Sequence, residues 1–416
     1  MIRNRKDEYM EFFDGGVTAP KGFKACGGAA GIRKNGRKDL ALIFSEIPAQ
    51  VAGTFTTNVV KAAPVIWDRD IVNEGTLAQL IVCNSGIANA CTGEEGSTIC
   101  EETAREAAKA FGIPKDAVLV TSTGVIGKQV PIDKIRKGVE MLAPKLDSKR
   151  EAAKDAAAAV LTTDTKSKEA AVSFEVDGKT VTLAGMCKGS GMIHPNMCTM
   201  LSFLTTDLAI SKELLQSALS EVVKDTYNMI SVDGDTSTND TVLLLANGAA
   251  FNDKITEKNE AYDLFLQALL ELNTILAKKI AGDGEGATAL FEVKVFGAAS
   301  KEDAVKLSKS VVSSNLTKAA ICGHDANWGR ILCALGYSGV NFNPAVIDLF
   351  FESAAGRITI MRDGVAVEVD EEKATEILSE PEVTVLCDMK MGESSATAWG
   401  CDLTCDYVKI NSDYRS

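Results

Sequence analysis

One threonine stands where a polar side chain needs an explanation. Thr199 follows the Gly- and Pro-containing loop KGSGMIHPNMC (residues 188–198) and opens TMLSFLTT, a short, mostly apolar run with β-branched ends. That pattern predicts a buried strand beginning at Thr199. Two readings fit. In the simpler one, a β-branched residue starts a strand. In the other, cleavage of the Cys198–Thr199 bond releases an N-terminal nucleophile. A threonine hydroxyl is a weak nucleophile, and a freed α-amine on the same residue is a suitable base, with a reference pKa of about 7.7–8.0.

Other chemistry-bearing groups are sparse. Asp233, Asp235 and Asp240 cluster in SVDGDTSTNDT without the spacing of an EF-hand, and they predict a turn network, not a cation site. The loop GDGEG lacks the Lys-Ser/Thr of a phosphate-binding loop, and Asp283 and Glu285 in it would repel a phosphate. The eleven cysteines are odd in number and include no C-x-x-C pair, and the only histidines are His194 and His324. Zinc-finger spacing is absent, so no metal is expected. Cysteines inside apolar stretches, such as Cys83 and Cys333, read as buried, reduced thiols of a cytoplasmic protein. A net charge of −13 argues against nucleic acid and anionic membrane as partners. No apolar run approaches a membrane span, and the first residues lack a signal-peptide pattern.

The elements that must position these groups alternate between helix and strand, which predicts an α/β fold. Thr98 followed by Glu101 predicts a helix start, with the helix running through Ala110 and ended by Gly112 and Pro114. Ala117 to Val120 reads as a strand leading into a loop at Ser122-Thr123-Gly124. Residues 131–145 and 148–161 read as helices, the second rich in alanine. Val172, Phe174 and Val176 alternate up to Asp177-Gly178, a hairpin turn, and Val181 and Leu183 return. A helix is expected from Ser211 to about Tyr227, a strand at VLLLA, a long amphipathic helix over 257–281, and a hairpin at Asp363-Gly364. The chain is expected to finish in an alternating strand from Ala396 onward. At 416 residues it should hold two to three domains, taking roughly 150 residues each.

KGSGMIHPNMCTML together with VDGDTSTNDT resembles the ornithine acetyltransferase (glutamate N-acetyltransferase) family of arginine biosynthesis. Further matching segments include NSGIANACTGEEG, TSTGVIGK, LTTDT, DGEGAT, NWGRILCALGYSG and SATAWGCDLTCDYVKINSDYRS, in the expected order over nearly the whole chain. The resemblance implies a layered α/β/β/α sandwich of the self-cleaving threonine-nucleophile type with a smaller C-terminal α+β domain, from about 300 to 416. It also implies a cut between Cys198 and Thr199, giving an α chain of 1–198 and a β chain of 199–416 that assemble as an α₂β₂ heterotetramer.

By position, Thr199 matches the nucleophile, and Thr123 and Gly124 match the pair that holds the tetrahedral oxyanion. Thr162, Lys188, Glu285, Asn411 and Ser416 match substrate contacts, although Thr163 or Thr165 could take the place of Thr162. Lys188, on the loop beside the nucleophile, would pair with the substrate carboxylate, and Glu285 with an ammonium. Three departures from the family pattern, Cys198, His194 and Ile87, read as tolerated variation.

The implied reaction is double displacement. Thr199 takes acetyl from N-acetylornithine and passes it to glutamate, without a cofactor. Some members of the family also accept acetyl-CoA as donor. A self-processed threonine-nucleophile aminopeptidase or amidase, with water as acceptor, is the alternative.

Overall fold

The structure is a computed structural model that describes residues 10–194 and 200–413. In chain order its strands are β1 (Met10–Phe13), β2 (Phe23–Gly28), β3 (Leu40–Phe55), β4 (Ala78–Ile87), β5 (Val118–Val125), β6 (Lys168–Val176), β7 (Lys179–Lys188) and β8 (Leu201–Thr206). There follow β9 (Ile230–Ser231), β10 (Thr241–Ala246), β11 (Leu290–Ala298), β12 (Asp348–Ser353), β13 (Gly356–Arg362), β14 (Val365–Ala366), β15 (Glu382–Asp388) and β16 (Ser394–Cys401). The helices are α1 (Ala63–Glu74), α2 (Gly93–Phe111), α3 (Ile132–Leu142), α4 (Arg150–Ala159), α5 (Lys212–Asp225), α6 (Glu260–Ala281), α7 (Lys301–Val312), α8 (Asn315–Cys322), α9 (Trp328–Gly336), α10 (Glu371–Leu378) and α11 (Cys405–Ser412).

Two compact units result. The first comprises the described residues of Met1–Gly189, Asn196–Lys224 and Thr236–Leu276. Its strands run in the order β1-β6-β7-β8-β10-β3-β4-β5, with β2 also paired to β3. Strand β3 belongs to two sheets. Its first half pairs with β2 and β4, its register shifts between Phe44 and Ala49, and Gln50–Phe55 pair with β10. One long strand thus passes from one sheet to the other.

The side chains of β3 alternate accordingly, with both faces buried. Leu40 and Leu42 join Leu80, Val82, Val118 and Val120 in a core shared with Ile99 and Ala104 of α2 and Ile135 and Val139 of α3. Ala41 and Ile43 face the opposite way, toward Met186, Leu201, Phe203, Leu243 and Leu245 of the second sheet. The far side of that second sheet carries α6, whose Leu276 lies with Leu204 against Gly185. The layers are therefore helix, sheet, sheet, helix, as expected. The alanine run of α4 has a physical reason: a side chain at Gly27 of β2 would meet Ala156 N at 2.8 Å, so strand and helix approach too closely for larger residues.

The second unit comprises Ser190–Pro195, Asp225–Asp235 and Ala277–Ser416 in its described parts. Its sheet runs β14-β13-β12-β15-β11-β16-β9. Helix α7 buries Ala304, Leu307 and Val311, and β11 buries Phe291, Val293 and Val295.

The hairpins at Asp177-Gly178 and Asp363-Gly364 form as expected, with positive φ at all four residues. Four expectations need correction. Helix α2 starts at Gly93, not at Thr98, whose hydroxyl bonds back to Glu94 O four residues earlier; Glu94 and Glu95 supply the acidic first turn. Thr123 and Gly124 lie within β5, paired to β4, and not in a loop beyond it. The alternating run from Ala396 stops at Cys401, and the chain goes on into α11, capped by the Thr404 hydroxyl on Asp406 N. Cys333 is exposed, whereas Cys26, Cys83, Cys100, Cys187, Cys387 and Cys401 are buried thiols. No described helix is long and apolar enough to cross a membrane.

Candidate functional site

Within the first unit, Thr123 and Gly124 sit where β5 emerges from the core. Val118 to Ser122 are buried, and Thr123 and Gly124 are half-buried. They pair with Ser85 and Gly86 of β4, and the register shifts between Gly86 and Ile87. The two glycines have φ of +129° (Gly124) and +100° (Gly86), a region where side chains are strained. A Cβ on Gly124 would also strike the Gly86–Ile87 peptide, with Ile87 N at 2.6 Å.

Side chains hold this bulge in place. The Asn239 amide donates to Ser122 O at 2.8 Å and to Ala88 O at 2.6 Å. The Ser122 hydroxyl donates to Asn84 Oδ1 at 2.7 Å. A half-buried threonine followed by a glycine, on a backbone fixed at several points, is a position suited to preorganised oxyanion donors.

A charged cluster lies in the same unit. Lys188 ends β7 and is only 8% exposed, so it is neither a loop residue nor a solvated surface lysine. Its ammonium is 3.9 Å from Asp164 Oδ2. Asp164 also accepts from Thr162 N at 3.0 Å, Gly189 N at 2.6 Å and Lys168 Nζ at 2.7 Å. Burial pushes its carboxyl up, but the Lys188 and Lys168 ammoniums and the Thr162 N–H outweigh that and hold it well below the ordinary carboxylate range. Arg33 reaches the same turn from the other side, donating to Leu161 O at 2.7 Å, while its Cγ occupies the place a Gly86 side chain would need. Arg33 and Asp164 together connect the bulge at Gly86, the turn at Thr162 and the strand end at Lys188.

In the second unit, Glu285 is 6% exposed in the loop after α6. Its N–H donates to Ser190 O at 3.0 Å, and the Ser190 hydroxyl donates to Asp283 O at 2.7 Å. Its carboxylate lies against Gly191, where a Cβ would clash, and accepts from Asn411 Nδ2 of α11 at 2.7 Å. Asp233 accepts from Met192 N at 2.6 Å, Ile193 N at 2.8 Å and the Tyr407 hydroxyl at 3.3 Å. It serves the turn network expected of it. No group of three or more metal-ligating side chains occurs among the described residues. His194 pairs through Nδ1 with the Ser231 hydroxyl at 3.0 Å, and burial and Lys309 depress its pKa, which favours the neutral ring.

Of the residues singled out from the sequence, Thr123, Gly124, Thr162 and Lys188 fall in the first unit, and Glu285 and Asn411 in the second. Thr162 and Thr163 are half-buried and Thr165 is exposed. Cys198, Thr199 and Ser416 lie outside the described residues. Sequence reasoning missed Arg33, Asp164, Asn239 and Gly191. Asp164 was open to discovery, since a lone acid among the threonines of LTTDT has to find a partner once the segment is buried. Arg33, in the polar run GIRKNG, gave no signal.

The helices and sheets of the first unit, layered α/β/β/α, with Thr123, Gly124 and Lys188 toward strand ends, define an α/β sandwich. The model of the ArgJ family matches residues 24–416. The arginine biosynthesis bifunctional protein ArgJ of Caldanaerobacter subterraneus subsp. tengcongensis is 51% identical over 407 residues, covering 98% of this chain and 100% of its own length. The protein of the same name from Thermotoga neapolitana is 50% identical over 404 residues, covering 96% and 100%. A crystallised chain of the Bacillus halodurans protein of that name is 46% identical, with a TM-score of 0.49, over 51% of this chain and 99% of its own. The chain belongs to the ArgJ family.

Proposed function

We propose that this enzyme of arginine biosynthesis moves an acetyl group from N-acetylornithine to glutamate through an acetyl-Thr199 intermediate. What carries the reading is family membership over essentially the whole length of relatives that are themselves matched end to end. The buried Lys188 supports it, because its ammonium is 3.9 Å from Asp164, beyond hydrogen-bond distance, which suits it to donate to a substrate carboxylate.

In the first step the Thr199 hydroxyl adds to the Cys198 carbonyl. The C–N bond breaks, the Thr199 amine is released, and water hydrolyses the resulting ester. The Thr199 oxygen then attacks the acetyl carbon of N-acetylornithine, with its own α-amine taking the hydroxyl proton. Thr123 and the Gly124 N–H stabilise the tetrahedral anion, a task for which each placed donor contributes about 3–4 kcal/mol. The ornithine amine leaves with that proton. Glutamate enters, its amine attacks the acetyl ester, and N-acetylglutamate departs as the threonine hydroxyl re-forms. An amide is exchanged for an amide, so the transfer is nearly balanced and needs no cofactor.

Lys188 receives the substrate carboxylate, and Glu285, held by Asn411, receives an ammonium; Thr162, or Thr163 or Thr165 in its place, and Ser416 complete the contacts. The two fragments remain together as an α₂β₂ heterotetramer in the cytoplasm, and acetyl-CoA serves as a second acetyl donor to glutamate. The test uses isotopically labelled acetyl on N-acetylornithine with glutamate present. Label on glutamate supports the transferase, and label released as free acetate supports the amidase alternative. Acetyl-CoA offered with glutamate alone reads out the second activity.

A further inference from the structure

Thr123 and Gly124 are bounded by two hydrogen-bonded carbonyls, and both lead to one side chain. Ahead of Thr123, the Ser122 carbonyl accepts from Asn239 Nδ2 at 2.8 Å. Beyond Gly124, the Val125 carbonyl accepts from Ala88 N at 3.0 Å, and the carbonyl of Ala88 accepts from the same Asn239 Nδ2 at 2.6 Å. Asn239 thus bridges β5 and the chain just past β4, at the place where the register of those two strands shifts between Gly86 and Ile87. Thr123 and Gly124 lie between its two contacts.

The residue type fits that place. A primary amide offers two N–H donors and one oxygen acceptor. Both carbonyls take the nitrogen of Asn239, and its Oδ1 accepts from the Thr238 hydroxyl at 2.6 Å. The hydroxyl bond fixes which way round the amide sits, because a flipped amide would set its oxygen against two carbonyl oxygens. The segment that carries Asn239 is anchored in turn. Thr238 O accepts from Ala62 N at 3.0 Å, and Asp240 O accepts from Thr56 N at 3.0 Å. Asn239 is only 7% exposed, so a change that removes its donors leaves carbonyls in a place with little access to water.

We propose that Asn239 is a positioning residue for acetyl transfer: by tying Ser122 to Ala88 it holds the Thr123–Gly124 backbone where the oxyanion forms. The inference rests on the reading of Thr123 and Gly124 as the oxyanion pair. Asn239 acts through that backbone and not on the substrate. Donors placed for the oxyanion act on the transition state more than on bound substrate, so the effect belongs in kcat and not in KM. A displacement of about 1 Å caused from outside the reacting groups can cost about 10²-fold in rate.

The experiment compares Asn239→Asp, which keeps the outline of the side chain and removes both donors, with Asn239→Ser, which keeps one donor on a shorter side chain. Thermal unfolding and intact mass come first, and kcat and KM for N-acetylornithine, with glutamate present, are then measured per cut chain. Asn239→Asp should lower kcat by about 10- to 100-fold with KM within about threefold. Asn239→Ser should lower kcat by a smaller factor, at least about fivefold, again with KM within about threefold. A destabilised Asn239→Asp enzyme whose kcat stays within about threefold overturns the proposal, because Asn239 would then serve only to hold the fold. A KM raised about tenfold at unchanged kcat overturns it as well, since Asn239 would then act on substrate binding. Should Asn239→Asp fail to fold or to cut itself, Asn239→Ser decides: the kcat loss just given supports the proposal, and a smaller one overturns it. Gly124→Ala with unchanged kcat is a separate failure, since it removes the reading of the oxyanion pair itself.

Discussion

The Asn411 amide donates to one carboxylate oxygen of Glu285 at 2.7 Å, and the same amide donates to Tyr407 O at 3.0 Å one turn earlier in α11. The last helix therefore fixes how the Glu285 carboxylate is turned without neutralising it. Gly191 lies against that carboxylate, so the chain at Gly191 is built around the acid as well.

Glu285→Ala should raise KM for N-acetylornithine more than tenfold, about the cost of a lost charge-assisted contact, and leave self-cleavage nearly intact. Cleavage involves no external ammonium. Asn411→Ala should raise KM by a smaller factor, because the carboxylate remains but is free to turn. Intact mass and initial rates on the same preparations check both. Equal loss of cleavage and transfer in a folded Glu285→Ala enzyme would assign Glu285 to the cleavage machinery instead.

At Gly124 the expected effect is larger and has two parts. A side chain there meets the Gly86–Ile87 peptide and a φ of +129°. Gly124→Ala should cost about 1–3 kcal/mol of stability from strain. It should also lower kcat by about 10²-fold or more as the donor N–H moves. Thermal unfolding together with kcat separates the two. Unchanged kcat in a destabilised variant would remove Gly124 from the oxyanion pair.

These examples show what the sequence made legible. The hairpins at Asp177-Gly178 and Asp363-Gly364 and the glycine stop of α2 follow from local rules of turn and cap. Motif resemblance singled out Thr123, Lys188 and Glu285. It left out Asp164, Arg33 and Asn239, because their roles are contacts between segments distant in the chain: Asn239 to Ser122 spans 117 residues and Arg33 to Leu161 spans 128. The helix start at Thr98 failed because a capping pair carries the same residues as an ordinary exposed helix face. Lys188 read as a loop residue; its burial is set by the strand it ends and by the acid 24 positions earlier.

Asp68 gives a test of the fold that is independent of the reaction. It is fully buried on α1; Oδ1 accepts from Val120 N at 2.7 Å and Oδ2 has no hydrogen-bond partner among the described residues. Burial raises its pKa well above the ordinary value, with the Val120 N–H opposing. A raised folded pKa contributes stability below the unfolded pKa, near 3.9, that is lost as pH rises toward the folded value. Asp68→Asn cannot ionise and escapes that loss. The stability of the variant relative to the unaltered protein should therefore grow from about pH 4 upward, read by denaturant unfolding at several pH values. A pH-independent difference would contradict a buried, protonated Asp68.

The proposed self-cleavage at Thr199 predicts a clear mutant pattern. Thr199→Ala should remain one uncut, inactive chain, and Thr199→Ser should keep part of both functions, because it retains the hydroxyl. An uncut chain with full acetyltransferase activity would contradict the order of steps. Denaturing gels and intact masses suffice.

The central claim is the covalent acetyl-Thr199, and rapid-quench mass spectrometry with N-acetylornithine alone tests it most directly. One added acetyl group is expected, carried on the fragment that begins at Thr199. It should be lost slowly to water and passed quickly to added glutamate, whose bound amine acts at high effective concentration. Initial rates over both substrates should then give parallel lines. Converging lines with no acetylated fragment at any quench time would mean direct transfer in a ternary complex, and Thr199 would no longer be the nucleophile.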